Sequence, residues 1–338
     1  MEYGDIDPFI PFFPISVAGF PGFDLGWFST SGFGPPRSNQ PPSWERPRYP
    51  LIRNGCEELT KLGQGAQGSV FLARSLRTRK LYAVKETHQY NTRYGEPTEV
   101  VIVKNIIRQH RSIIQLRNYH FEPDNRLLMY YDFCAGGDLE TLMKRVDFIS
   151  EAWMWGLFLQ LADAIAFLHY GYNRKAQHPN NPPHGWQRIV HGDIKPGNVF
   201  IKEPISRNAC PKIALGDFGS ATLQPITYGF FMTDLRYQGP EQTGPRHLRQ
   251  MSAMNDVWSV GAVMHELGHG LPPIAQIPFD CDPSQWLHNP RTRDPRPLSR
   301  EYSRRLSNNM METLELDPED RVRSRQLVGH LVKEFPRH

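Results

Sequence analysis

His191-Gly192-Asp193-Ile194-Lys195-Pro196-Gly197-Asn198 packs a carboxylate, a cation and an amide into one short segment. That set suits a reacting hydroxyl, which needs an acceptor for its proton, a positive charge for the group being transferred, and a metal ligand. Two other segments complete it. Gly63-Gln64-Gly65-Ala66-Gln67-Gly68-Ser69-Val70 is a glycine loop of the kind that covers phosphates. Asp217-Phe218-Gly219 lies nineteen residues after Asn198, past the short β-prone run Ile213-Ala214-Leu215, and offers a second carboxylate for a metal. Order, spacing and residue types together fit phosphoryl transfer from ATP.

The glycine pattern alone decides little, because dinucleotide-binding folds use it too. There the last glycine opens a helix. Here Ser69-Val70-Phe71-Leu72 follows and is β-prone, which places the glycines in a strand-turn-strand hairpin. Such a hairpin can fold over a triphosphate with its N–H groups inward, and glycine lets the backbone approach without a Cβ clash.

Bulk properties set the frame. The chain has 338 residues, which favours two lobes, or one large domain with a tail. A net charge of +4 does not call for nucleic acid or a membrane surface as partner. Cys56, Cys134, Cys210 and Cys281 form no CxxC pair, so neither a disulfide framework nor a zinc site is expected. No Lys or Arg precedes Arg37, and Pro8, Pro11 and Pro14 interrupt the apolar stretch, so no secretory leader is expected. No spanning helix is expected either. The expected setting is intracellular, cytoplasmic or nuclear.

Residues 1–56 read as a non-globular extension rich in Pro, Phe and Gly. Ten of the thirty prolines fall at positions 8 to 50, dense enough to block helices and sheet ladders. Phe9, Phe12, Phe13, Phe20, Phe23 and Phe28 equally fit a docking segment. From Glu57 to Tyr131 the pattern is strand-rich, with Ser69–Ala73, Leu81–Lys85 and Leu127–Tyr131 as strands and Thr98–Gln109 as a helix. From Leu139 to Phe335 it is mostly helical. Met154, Leu157, Phe158, Leu161, Ile165 and Leu168 share one helical face, and Asp256–Leu267 is a second helix. Gly171–Gln187 and Pro272–Pro297 read as loops.

Over residues 57–335 the chain resembles a eukaryotic-type serine/threonine protein kinase. The resemblance implies an α+β bilobal fold: a β-rich N-lobe (57–131), a hinge (132–138) and an α-helical C-lobe (139–335), with ATP and Mg²⁺ in the cleft. It implies that Leu62, Gly63, Gln64, Gly65, Ala66, Gln67, Gly68, Ser69, Val70 and Ala83 surround the nucleotide. Lys85, in Ala83-Val84-Lys85, would contact the α- and β-phosphates and pair with a helix carboxylate. Glu99 matches that carboxylate, and Glu96 is the alternative. Tyr131 stands at the gatekeeper position. Asp132 and Cys134 would offer backbone groups to adenine, although Cys134 also fits a plain buried residue, and Asp138 would reach the ribose.

By the same resemblance Asp193 is the catalytic base, Lys195 neutralises the transferred phosphoryl, and Asn198 and Asp217 hold Mg²⁺. Lys two residues after the base is the serine/threonine pattern. His191 would serve as packing beneath Phe218. Gly239-Pro240-Glu241 matches an Ala-Pro-Glu anchor whose Glu pairs with Arg321, and Asp256 would cap the catalytic-loop backbone. Two departures stand out. Gly192 replaces the Arg that clamps an activation-segment phosphate in many members, which puts such control in doubt. Asp234 occupies the usual Thr position, with Thr233 one residue early. The expected partner is a protein substrate with a Ser or Thr acceptor. A pseudokinase or ATP-binding scaffold is the alternative, and a small-molecule kinase of similar fold is a third. All six of Lys85, Glu99, Asp193, Lys195, Asn198 and Asp217 are present, which favours the enzyme.

Overall fold

The computed structural model describes residues 52–65, 68–88, 92–93, 96–107, 110–176, 184–205, 209–224, 233–243 and 251–335. The expectations for the N-terminal extension up to residue 51, and for Ala66, Gln67, Thr227, Tyr228 and Gln109, lie outside these residues.

A six-stranded antiparallel sheet forms the N-lobe, in the order β1 (Ile52–Arg53), β2 (Cys56–Gly65), β3 (Gly68–Ser75), β4 (Leu81–Thr87), β8 (Leu127–Asp132), β7 (Leu116–Phe121). It starts at Ile52, five residues before Glu57. Asn54 and Gly55 have φ of +50° and +73° and close a two-residue hairpin between β1 and β2. Asn-Gly is the pair such a turn favours. A small ribbon of β5 (Thr92–Arg93) and β6 (Glu96–Pro97) leads into the helical segment.

That segment differs from the expected Thr98–Gln109 helix. It has one α-helical stretch, α1 (Thr98–Val100), and then widens into a π-helix over Val101–Ile106. Val100-Val101-Ile102-Val103 is a run of β-branched residues, all buried. Such side chains crowd the preceding turn of an α-helix, and a wider winding relieves that crowding.

The C-lobe is helical, as expected. After β9 (Gly137–Asp138) and α2 (Leu139–Met143), the long α3 (Glu151–Tyr170) runs through its centre. Ser150 caps α3 by accepting from the Trp153 N–H, and Gly171 ends it at φ +63°. Met154, Leu157, Phe158, Leu161, Ile165 and Leu168 are each fully buried. By length and composition α3 could cross a bilayer, but 72% of its apolar window is packed inside the protein, which marks it as a core helix.

Short strands β10 (Ile189–Val190), β11 (Val199–Ile201), β12 (Ile213–Leu215) and β13 (Thr222–Leu223) bracket the catalytic segments. β9, β11 and β12 form one small sheet, and β10 pairs with β13. The remaining helices are α4 (Ala253–His269), α5 (Pro283–His288), α6 (Arg304–Thr313) and α7 (Ser324–Glu334). α4 begins before Asp256, under a capping box between Ser252 and Asn255. At Gly261 it lies so close to α6 that a Cβ would stand 2.0 Å from Thr313 Oγ1.

Candidate active site

The site is built from the large sheet, the small β9–β11–β12 sheet and the β10–β13 pair. β2 and β3 form the glycine hairpin, with Gly65 opposite Gly68, Gln64 opposite Ser69 and Gly63 opposite Val70. Gly68 has φ +133°, and a Cβ there would collide with the Glu86 carbonyl of β4 at 1.9 Å. The third glycine is thus required by the sheet itself. At Gly63 a Cβ would meet nothing within 4 Å, so the loop leaves open space there. Leu62 is half-buried beside it.

Register then fixes the lysine. Val70 lies opposite Lys85, and Ala83 lies opposite Tyr131. Lys85 Nζ donates to Glu99 Oε2 at 2.9 Å and to Asp217 Oδ1 at 2.7 Å. Burial opposes its charge, but Glu99 first and then Asp217 outweigh that, and its pKa rises above the ordinary lysine value. Burial would likewise raise the Asp217 carboxyl, yet the Lys85 charge and hydrogen bond bring it below the usual carboxylate range. Glu99 is therefore the helix carboxylate that Lys85 meets. Asp217 itself sits in the left-handed region at φ +58°, uncommon for a residue other than glycine.

The catalytic segment is held from behind. Asp256 Oδ2 accepts from the His191 N–H at 2.8 Å and Oδ1 from the Gly192 N–H at 2.9 Å. Asp256 is fully buried and also accepts from His169 Nε2 at 3.0 Å, while His169 Nδ1 meets Ser324 Oγ at 2.8 Å. His191 packs against the buried Phe218 with ring centres 4.7 Å apart and donates Nε2–H to the Gly216 carbonyl at 2.9 Å. Its expected packing role holds.

On the open side, Asp193 Oδ2 accepts from Lys195 Nζ at 2.8 Å and Asn198 Nδ2 at 3.0 Å. Asp193 Oδ1 accepts from the Asp234 N–H at 3.2 Å. The Thr position thus touches the base through its backbone. The Asp234 carboxylate turns to Arg236, at 2.7 Å in the ion pair. Asn198 Nδ2 also donates to the Asp193 carbonyl at 2.7 Å. With its nitrogen directed inward, its amide oxygen is the atom free for a cation. Asn198 and the ionised Asp217 thus supply two hard oxygens, which fits Mg²⁺.

The hinge residues are present, with specific duties. The Asp132 carboxylate is held by Lys80 at 2.7 Å and by Nε and Nη2 of Arg117, the first at 3.0 Å and the second at 2.5 Å. The Asp132 backbone N–H donates to the Gln115 carbonyl at 3.1 Å. Asp138 caps α2, accepting from the Thr141 N–H at 2.7 Å and its hydroxyl at 3.1 Å. Cys134 is half-buried, and burial pushes its thiol up to about 11. Further out, Arg321 Nη1 and Nη2 grip Glu241 at 2.7 and 3.1 Å, as expected. Sequence reasoning missed one contact inside the site: the Tyr131 hydroxyl donates to Glu99 Oε1 at 2.7 Å.

A family model described as the protein kinase domain matches residues 56–332. The chain belongs to the protein kinase family. The kinase is similar to the probable serine/threonine-protein kinase nek2 of Dictyostelium discoideum, at 28% identity over 288 residues, 82% of this chain and 63% of that protein. It is 31% identical over 219 residues to the G2-specific protein kinase fin1 of Schizosaccharomyces pombe, covering 61% of this chain and 29% of that one. It is 28% identical over 296 residues to the serine/threonine-protein kinase ULK3 of Mus musculus, covering 86% and 56%. The chain spans less than two thirds of the length of these relatives. Two of these three relatives bear the name of a serine/threonine-protein kinase.

Proposed function

We propose that this protein transfers the γ-phosphoryl group of ATP to a Ser or Thr hydroxyl of a protein substrate. The observation that carries this reading is Lys85 bridging Glu99 and Asp217, with Asp193 held ready by Lys195 and Asn198. Glu99 and Asp217 hold the Lys85 ammonium at the cleft beneath the glycine hairpin, where it meets phosphate oxygens. Asp193 Oδ1, which accepts one N–H, keeps capacity for the acceptor hydroxyl, orients it and takes its proton as the new P–O bond forms. The bond to the β-phosphate oxygen breaks and ADP leaves. Lys195 neutralises charge on the group in flight. Mg²⁺, held by Asn198 and Asp217, would neutralise the phosphate oxygens when bound.

The serine/threonine preference is supported by Lys195 two residues after the base and by the names of the relatives. An intracellular setting, cytoplasmic or nuclear, agrees with this use of ATP. A scaffold that only binds nucleotide has no need for Asp193, Lys195 and Asn198 in mutual contact. An array of Ser-, Thr- and Tyr-containing peptides, incubated with purified protein, Mg²⁺ and γ-labelled ATP, tests the reading. Label on Ser or Thr peptides is expected; label on Tyr peptides alone, or on none, contradicts it.

A further inference from the structure

We infer that Tyr131 is a positioning residue, whose hydroxyl holds Glu99 against Lys85 and so keeps the nucleotide site assembled. The inference rests on the reading of Lys85 as the phosphate-contacting cation.

The helical segment carrying Glu99 cannot hold that carboxylate by itself. α1 is three residues long, its N-cap is Pro97, and no side chain caps it. Beyond Val100 the winding changes to a π-helix. Helical order is cooperative over several turns, and a segment this short that changes its winding after three residues gains little of it. Glu99 therefore depends on tertiary contacts. It is buried, at 8% exposure, and a buried carboxylate is costly unless both oxygens are satisfied.

Lys85 satisfies Oε2 at 2.9 Å but is shared with Asp217. Tyr131 satisfies Oε1 at 2.7 Å. Tyr131 is well placed to act as a fixed donor. β8 is paired on both sides, with Tyr131 opposite Ala83 of β4 and Leu116 of β7. The ring is 8% exposed. A rigid sheet thus carries the donor, and a short irregular helix carries the acceptor. Phenylalanine would fill the same volume yet leave Oε1 without this donor, so the hydroxyl and not the ring is the element that matters.

The test is a double-mutant cycle in the full chain with Tyr131→Phe, Glu99→Ala and both together. Binding of Mg²⁺·ADP is followed by calorimetry and phosphoryl transfer by initial rates, with a melt to check folding. Tyr131→Phe is expected to melt close to the parent, to weaken Mg²⁺·ADP binding at least fivefold and to lower kcat/KM for ATP about tenfold. In the Glu99→Ala background the same change should alter either quantity less than twofold, because the acceptor is gone. Parental affinity and rate in Tyr131→Phe would overturn the inference, as would an equal loss in both backgrounds. If Tyr131→Phe does not fold, Tyr131→Met gives the same comparison with another apolar filler. A parent that binds Mg²⁺·ADP but transfers nothing defeats the proposed function alone, and the affinities still decide the role of Tyr131. A parent that binds no nucleotide overturns both.

Discussion

Met251 packs directly against Gly192: a Cβ built on Gly192 would stand 2.8 Å from Met251 Cε and 2.9 Å from Sδ. Gly192 has φ +79°, where side chains are strained, and Met251 is fully buried. The position before the catalytic Asp is thus closed by packing. Gly192→Ala should destabilise the protein by about 1–2 kcal/mol for the left-handed backbone alone, read as a lowered midpoint in denaturant. An unchanged midpoint would contradict the packing described.

With no guanidinium at Gly192, an activation-segment phosphate has no partner at that position. The candidate acceptors between Asp217 and Glu241 are Ser220, Thr222, Thr227, Tyr228, Thr233 and Tyr237. Tyr237 is buried, with its hydroxyl 2.5 Å from Glu266, and is poorly placed for modification. Phosphatase-treated protein should therefore keep its initial rate. A fall of more than about tenfold, ~1.4 kcal/mol of barrier, would mean that some other cation receives a required phosphate.

Arg321 and Glu241 anchor the C-lobe. The Arg321 side chain has no exposed surface, stands 5.1 Å from the Trp258 ring and also donates to the Met254 and Glu315 carbonyls. Removing one partner of a buried pair strands the other, at a cost of about 3–5 kcal/mol. Arg321→Leu should lower the melting temperature by about 10 °C in a domain of this size. A change of about 2 °C or less would show that the pair is not a stabilising anchor.

Two buried histidines make stability sensitive to acid. Burial holds His265 at about 4 and His110 at about 4, below the ordinary imidazole value. His265 Nδ1–H donates to the Leu271 carbonyl at 2.9 Å and Nε2 accepts from the Arg296 N–H at 3.2 Å, an arrangement only the neutral ring can make. Depressed folded values mean that the unfolded chain binds these protons more readily. The contribution is complete above about pH 6.5 and is lost as pH falls towards 4. Each histidine contributes on the order of 2 kcal/mol between pH 6.5 and 5. The melting temperature should fall over that range, and His265→Gln should fall less steeply. Parallel curves would contradict a neutral His265.

The catalytic cluster was legible in the sequence because its contacts are local. Lys195 and Asn198 reach Asp193 from two and five residues away. Glu99 was harder, since Glu96 stood as an alternative, and the pairing is a side-chain contact between β4 and α1, 14 residues apart. The π-helix was not legible: Val100, Val103, Ile106 and Ile107 stand at ordinary helical spacing, and the run of four adjacent β-branched residues does not by itself announce a wider winding. The start of the sheet at Ile52 has a local signal in the Asn54-Gly55 turn. Tyr131 and Glu99 are 32 residues apart, and no local pattern announces their hydrogen bond. The role of Asp138 as a helix cap depends on Thr141, a pairing visible once α2 is placed.

Asp217 holds Lys85 at 2.7 Å and is the proposed metal ligand, so its removal is the most direct test of phosphoryl transfer. Wild-type and Asp217→Ala proteins, matched by thermal melt, should be compared for release of γ-labelled phosphoryl onto a Ser/Thr peptide in the presence of Mg²⁺. Losing this carboxylate should raise the barrier by on the order of 3 kcal/mol or more, leaving the variant below about one hundredth of the parental rate. Lys85→Met should behave alike. Equal turnover in parent and variant, or no transfer above background in the parent, would contradict the assignment of this cleft as a kinase active site.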